Sequence, residues 1–572
     1  MAVRRWLPYA CLALWVLLAD AWFGGPLFHA FRPGIAAFVV LLLLGVGGLY
    51  WRTRPHVVAE SDTSDRRLPW IVAGMLVLAT LVRLPALLAP YSVISGDSAV
   101  NGIVAREIRT GAIAPPVYAP GYPYEGTLKV NLTALVGRAL PGASTPTVYI
   151  WAGHAFYLLW TAAVMRLAFG AGGTTAAAGA GLFMALSPRF LVAFSVNNVG
   201  QYQELNAFGA LALAVLAAGG GLGAAAFLVG LAVWQQLVAF YFVLALAIAV
   251  LLTPALRTPR SLAQGAIGFA AGTYPIWIWN AANAWATFDF FRRGAKGGAM
   301  GRLSEVPTQL RRTLSVSFPK LFGASDLELG SAAATLAALV LPALVLAMAW
   351  THRREIRAQR ARSAVFLVVL LFAITLGVFS ISKFSRRGIQ RPRYLLPLYT
   401  PIAVSVGWGL AAFATRSKAA AVGAGALVLG WNALGTVPWL TGRRIAHEAD
   451  AAFLSALDEA GVRRGHAGFT LATRVTFLSD GRQTIAGDLV PEIDWVYMPH
   501  AHEVAERGAD VYLAERPDLA AGLERRLTAL GVTFKRTAGL PAAFYGFSRP
   551  VAVAELDGYD LGAENIPEAD TE

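Results

Sequence analysis

The sequence predicts a polytopic α-helical membrane protein with a C-terminal soluble α/β domain, and three observations predict it. Of 572 residues, 56% are hydrophobic and only 14% are charged, with a mean hydropathy of +0.54. A soluble chain of this length needs far more charge to cover its surface. The charges are also uneven: between Trp70 and Leu440 they gather in short clusters between apolar runs, whereas 443–572 has ordinary soluble composition. Finally, most of the apolar runs have roughly the 17–25 residues that a bilayer span requires.

The formal net charge of +14 would suggest nucleic acid in a soluble protein. Here much of it falls to loop lysines and arginines that set topology and meet anionic headgroups, so membrane lipids, and not nucleic acid, are expected partners. The single cysteine, Cys11, lies in the first apolar run and leaves no intrachain disulfide to form.

Spans are expected near 6–24, 35–51, 69–90, 147–166, 173–192, 205–220, 222–238, 239–254, 261–281, 331–351, 363–382, 394–414 and 419–440, about 11–13 in all. The pair at 222–254 reads either as two spans turning at Gln235-Gln236 or as one long helix. Arg4-Arg5 before the first run, with small residues around Ala19-Asp20-Ala21, has features of a signal peptide. A second run follows at once, however, and the topology needs the first, so an uncleaved helix is expected. The chain then divides into 1–68 (two N-terminal spans and a basic loop), a transmembrane core 69–442 with a large first loop 91–146, and a C-terminal domain 443–572.

The positive-inside rule orients these spans in an inner membrane with a cytoplasmic N-terminus. The basic loops 52–67, Arg257/Arg260, 351–362 and Arg416/Lys418 fall inside. The loops 91–146, 193–204, 282–330 and 383–393, with the C-terminal domain, fall outside, on the periplasmic or extracellular face. The short outer loop K-F-S-R-R-G-I-Q-R-P-R (383–393) carries five cations on the wrong side. Either an anionic ligand such as a phosphate or lipid headgroups would account for them.

In 443–572, helix-like H-E-A-D-A-A-F-L-S-A-L-D-E-A and L-E-R-R-L-T-A-L alternate with strand-like A-G-F-T-L-A, D-V-Y-L-A, V-T-F-K-R and F-Y-G-F-S, ending in an acidic tail expected to be disordered. His500 and His502 form an isolated H-x-H, read as loop residues and not as metal ligands.

The first outer loop holds two amphipathic helices, S-G-D-S-A-V-N-G-I-V-A-R-E-I-R and E-G-T-L-K-V-N-L-T-A-L-V-G-R-A-L, expected along the membrane surface. Ser95 or Asp97 caps the first, so Asp97 is either a cap or a site residue. Between the helices runs P-P-V-Y-A-P-G-Y-P-Y-E, ending at Tyr124 and Glu125. Glu204 enters the next span as either a dipole partner or a site residue. Asp20 and Arg83 are further ionisable groups at membrane depth, and Arg83 is placed to snorkel.

With these segments in view, R-L-P-A-L-L-A-P-Y-S-V-I-S-G-D-S-A-V-N-G-I-V-A-R-E-I (83–108) resembles the first-loop signature of GT-C membrane glycosyltransferases. That group includes the protein O-mannosyltransferases and the aminoarabinose transferases that modify lipid A. P-Y-E-G-T-L-K, V-G-Q-Y-Q-E-L-N-A-F-G-A-L-A-L-A, G-F-A-A-G-T-Y-P-I-W-I-W-N-A-A-N-A-W-A-T-F and R-P-R-Y-L-L-P-L-Y resemble later motifs of the group in the same order, spanning most of residues 80–410.

The resemblance implies inverting transfer of a sugar from a polyprenyl phosphate to an acceptor hydroxyl of a glycolipid, polysaccharide or protein. It assigns the base to Asp97 and the donor phosphate to Arg393 with Lys383, Arg386 or Arg387. Glu204 matches a second acid, and Tyr202, Tyr124 and Glu125 would line the sugar and acceptor. The group's Asp-Glu pair is Asp97-Ser98 here. Members holding a divalent metal pair a glutamate at the Glu125 position with a histidine where this chain has Asn283, so no essential metal or other cofactor is expected. The competing function is a transporter or flippase of polyprenyl-linked glycans. That reading calls for internal repeats and broken helices near mid-bilayer, and no convincing repeat is found.

Overall fold

A computed structural model of the chain describes residues 2–24, 62–296, 303–325, 331–386, 391–489 and 498–556. The principal helices are α1 (Ala2–Trp22), α2 (Asp62–Leu87), α3 (Gly96–Thr110), α4 (Leu128–Ala139), α5 (Thr145–Ala185), α6 (Tyr202–Ala217), α7 (Leu222–Gln235), α8 (Phe240–Leu252), α9 (Pro259–Gly272), α10 (Ser331–Thr351), α11 (Ala364–Ile381), α12 (Tyr399–Arg416), α13 (Lys418–Glu459) and α14 (Phe469–Leu478). Among the described residues, five helices are long and apolar enough to cross a membrane: Arg66–Leu87, Thr145–Ala185, Ala364–Ile381, Pro392–Arg416 and Lys418–Glu459. The expected span 35–51 and the acidic tail beyond 556 lie outside the described residues.

Helix α5 takes in the expected span 147–166 and, after a break at Gly172 and Gly173, the first part of 173–192; the rest of that span leads into a separate short helix, Arg189–Phe194. Gly173 has φ +70° and ψ −159°, a backbone region essentially reserved for glycine. The ambiguous pair at 222–254 breaks at Gln236, whose extended backbone separates α7 from α8. Helix α7 packs along α9 and α8 along α11. Glycine makes the α7–α9 contact: a Cβ on Gly268 would stand 2.0 Å from the Gly223 carbonyl oxygen. Lipid offers no hydrophobic drive for helix pairing, so close backbone approach supplies the van der Waals contact instead.

Arg83 does not snorkel. It is fully buried, and its guanidinium donates to Ser195 Oγ (2.6 Å), Tyr157 Oη (2.7 Å), Ser187 Oγ (2.9 Å) and Ala185 O (2.9 Å). A five-donor fork can satisfy so many acceptors where a single ammonium could not. Asn432 and Thr436 of α13 dock one residue further on, donating to Leu186 O (2.7 Å) and Ser187 O (3.0 Å). Asp20, also buried, accepts from the Tyr274 hydroxyl (2.8 Å) and ties α1 to the helix Tyr274–Ala282.

Loops that the charge pattern assigns to one side do meet. At one end Gln236 Nε2 donates to Glu125 Oε1 (3.4 Å) and Gly200 O (3.2 Å), Thr287 Oγ1 donates to Pro123 O (2.7 Å), and Arg386 lies 4.0 Å from Glu305. The loops 91–146, 193–204, 282–330 and 383–393 therefore share that end. At the other, Ala361 N donates to Thr253 Oγ1 (3.3 Å), joining the most basic loop to the end of α8.

Helix α13 runs unbroken for 42 residues through the expected boundary at 442/443, so H-E-A-D-A-A-F-L-S-A-L-D-E-A is the upper end of the last span. Beyond it, five strands form one sheet: β1 (Arg464–His466), β2 (Thr484–Ala486), β3 (Val511–Ala514), β4 (Lys535–Arg536) and β5 (Ala542–Tyr545), in the order β2-β1-β3-β5-β4. Strand β1 pairs parallel with β2 and β3, while β5 pairs antiparallel with β3 and β4. Three of the four strand-like segments contribute to β3, β4 and β5. The fourth, A-G-F-T-L-A, instead opens helix α14, whose Leu471, Thr473, Val475 and Phe477 are all buried. His500 sits on the helix Met498–Arg507, and is buried, where a loop was expected.

Helix α3 does not lie bare on a membrane surface. Eleven of its fifteen residues are buried, and α14 of the C-terminal domain packs across it. A Cβ on Gly102 would stand 2.2 Å from Phe477 Cζ, so the ring seats directly on the glycine backbone.

Candidate active site

Ser95, and not Asp97, caps α3. Ser95 Oγ accepts from Ser98 N (3.4 Å), Ser98 Oγ accepts from Ser95 N (2.9 Å), and the two serines close a capping box. Ser98, where the resemblance calls for a second acid, is thus fully buried in cap duty. Asp97 is relieved of that duty and exposed in the first helical turn, where a carboxylate is favoured by the unpaired backbone N–H groups.

Glu125 ends the Pro- and Tyr-rich turn, half-buried, with Gln236 as its hydrogen-bond partner. Burial, with the nearby Asp97 charge adding to it, pushes its carboxyl up to about 7, against the opposing pull of Arg393 and Lys129. Burial likewise pushes the Tyr122 hydroxyl up to about 12, with Asp97 and Glu125 adding to the shift and Arg393 opposing it. Asp97, Glu125, Tyr122 and Arg393 therefore form one electrostatic cluster at the end where the outer loops converge. Tyr124, also raised by burial, feels Glu125, Tyr394, Tyr122 and Arg393. Its ring packs on Phe290 (5.0 Å) and Phe291 (5.9 Å) of the third loop.

The other expected site residues are placed differently. Glu204 is fully buried in an ion pair with Lys129, 3.3 Å from Nζ, and both side chains are completely shielded from solvent. Lys129 also approaches Asn198 O (3.3 Å) and lies over the Tyr149 ring. Desolvation lowers the ammonium's pKa, and the Glu204 charge works against that shift. Tyr202 is only 3% exposed, so its ring presents no open face to a sugar. It meets Tyr394 edge-on at 6.3 Å and Phe194 at 6.1 Å. Arg393 joins the cluster, whereas Arg386 faces Glu305 at the surface. Arg387 and the Lys383 side chain lie outside the described residues.

Sequence reasoning missed Lys129, Tyr122, Tyr394 and Gln236. Lys129 carried a signal, as a charge inside the apolar run L-K-V-N-L, and Tyr394 belongs to the R-Y-L-L-P motif. Tyr122 lies in the Tyr-rich segment before Glu125 and Gln236 in the polar pair that marks the turn between spans, but neither signal pointed to Glu125.

The residues around Glu125 do not fit a resident divalent metal. Asp97 adds negative charge beside it, but Arg393 and Lys129 bring two cations that a dication would repel, and Asn283, which stands where metal-holding members carry a histidine, donates to Trp279 O (2.8 Å). Among the described residues no three His, Cys, Asp or Glu side chains converge. No step of the reaction is assigned to a metal.

A helical membrane core carrying a small C-terminal sheet fits the GT-C type of fold. Among the solved structures that share this fold is ArnT from Cupriavidus metallidurans bound to undecaprenyl phosphate, with a TM-score of 0.57 at 15% identity over 83% of this chain and 96% of that one. The chain also matches the Archaeoglobus fulgidus oligosaccharyltransferase in complex with zinc and sulfate, at a TM-score of 0.39 and 12% identity over 83% of this chain and 72% of that one. The same enzyme tethered with an acceptor peptide containing the NVT sequon gives 0.40 and 11% over 84% and 74%. No family model matches the sequence, and no curated protein matches it.

Proposed function

We propose that the chain is an inverting glycosyltransferase that moves a sugar from a polyprenyl-phosphate donor to an acceptor hydroxyl at the outer face of an inner membrane. The observation that carries this reading is the Ser95–Ser98 cap, which leaves Asp97 exposed within the field of Glu125 and Arg393. The bound undecaprenyl phosphate of the ArnT structure supports the class of donor.

In this reading the Asp97 carboxylate takes the acceptor's hydroxyl proton as the acceptor oxygen attacks the anomeric carbon. The bond from that carbon to the phosphate oxygen breaks on the opposite face, and its electron pair leaves with the polyprenyl phosphate. The configuration inverts, and the products are the glycosylated acceptor and the free lipid phosphate. Arg393 meets the charge gathering on the leaving phosphate, with Lys383, Arg386 and Arg387 of the same loop as further candidates. Glu125 and Tyr124 line the sugar and acceptor. Glu204 acts at one remove, by neutralising Lys129 beneath the cluster, and Tyr202 backs Tyr394. The acceptor is a glycolipid, polysaccharide or protein.

Mass spectrometry of the outer glycoconjugates tests this. Cells lacking the chain should lose one sugar, the native chain should restore it, and Asp97→Asn should not. Full restoration by Asp97→Asn would remove the base assignment.

A further inference from the structure

We infer that the C-terminal domain positions the base: α14 grips both flanks of the first turn of α3 and so fixes where Asp97 stands. The inference rests on the reading of Asp97 given above and deepens it by giving the soluble domain a task.

The grip engages four residues in or just before α3. Arg474 Nε donates to Ile94 O (3.0 Å), three residues before Asp97, while its Nη2 pairs with Asp450 of α13 (2.8 Å). Thr470 lies against Gly96, where an added Cβ would stand 3.0 Å from its Cα. Thr473 Oγ1 lies 3.3 Å from Gly96 O. One and a half turns along α3, Phe477 covers Gly102 and meets Tyr149 of α5 edge-on at 5.7 Å. Past the end of α14, Asp480 O accepts from Arg106 Nε (2.8 Å), and the Asp480 carboxylate accepts from Thr145 Oγ1 (2.7 Å).

These contacts engage residues 94, 96, 102 and 106 while Asp97 itself remains exposed. Helix α3 also packs on α4 and α5, and α14 adds the contacts around its first turn. A displacement of about 1 Å at a reacting group can cost on the order of 10²-fold in rate. Helix α14 is in turn braced on α13 through Arg474 and Asp450, so the position of Asp97 is referred back to the last membrane span. The residues of α14 act through Asp97 and are positioning residues.

A steric rescue tests this. Transfer is followed by mass spectrometry in membranes from cells lacking the chain and carrying each variant, and undecaprenyl phosphate binding is measured on the purified full-length chain in nanodiscs. Gly102→Ala drives a methyl into Phe477 and should slow transfer roughly 10²-fold with undecaprenyl phosphate affinity unchanged. Adding Phe477→Ala should restore most of the rate. Arg474→Met, which leaves the Gly102 contact intact, should likewise slow transfer without changing affinity, and it decides the matter if Gly102→Ala fails to fold. Normal transfer in Gly102→Ala or in Arg474→Met would overturn the positioning role, as would a parallel loss of affinity and transfer. Normal transfer in Asp97→Asn alone would instead remove the base reading, and the positioning role with it.

Discussion

At the scale of single residues, cap and carboxylate can be separated. Ser95→Ala should cost α3 about 1 kcal/mol through loss of the cap, seen as a lower midpoint in thermal unfolding. Asp97→Asn should lower that midpoint less, because Asp97 makes no cap and loses only its charge at the helix N-terminus, yet should lower transfer by roughly 10²–10⁴-fold through loss of the base. Glu125 gives a pH signature. With its carboxyl at about 7, it is protonated below neutrality and charged above, so a second negative charge arises beside Asp97 as pH climbs through about 7. That charge opposes a phosphate anion. Affinity for undecaprenyl phosphate should therefore weaken several-fold from pH 6 to pH 8, and Glu125→Gln should flatten the curve. A native curve that matches that of Glu125→Gln between pH 6 and pH 8 would refute the assignment, because the phosphate's own second ionisation, near 6, is common to both.

At the scale of elements, buried charge holds the loops to the core. Glu204→Gln leaves the Lys129 ammonium without its counter-charge in a site closed to water, which should cost about 3–5 kcal/mol. Replacing both partners, Lys129→Met with Glu204→Leu, should cost less, because no orphaned charge remains; denaturant unfolding in detergent would measure the difference. Arg83→Met should also be severe, since the acceptors gathered around the guanidinium, Ala185 O, Tyr157, Ser187 and Ser195 among them, lose their donor. The sequence marked both charges as unusual and could not say which were sealed. A glutamate opening a helix reads the same whether it faces a substrate or a lysine 75 positions away in the chain.

At the scale of the whole molecule, what was legible was what repeats along the chain. Apolar runs and basic loops placed most of the described helices and grouped the outer loops, because bilayer thickness and charge asymmetry act on every span alike. What escaped was tertiary. The strands Arg464–His466 and Thr484–Ala486 have three residues each, too few for alternation to show. The roof of α14 over α3 depends on Gly102 meeting Phe477 across 375 residues, a fit that no local pattern announces.

The last helix carries one further consequence. At 1.5 Å per residue its 42 residues extend about 63 Å, roughly twice the hydrocarbon thickness. Asn432 and Thr436 pin it to the carbonyls at 186 and 187, Trp431 donates to Phe322 O (2.8 Å) and Arg443 to Ser92 O (2.8 Å), and it also packs on α12 and α2. Below these contacts Val422 and Leu427 face outward, 72% and 77% exposed; above them, Asp450 takes the load of α14 through Arg474. A span longer than the bilayer is thick answers mismatch partly by tilting, within limits set by its packing on neighbouring helices, and any such change in α13 would reach Asp97 through Asp450, Arg474 and α14. If the proposed transfer depends on that linkage, it should vary with acyl-chain length in nanodiscs while undecaprenyl phosphate binding holds steady, and transfer independent of chain length would remove the linkage.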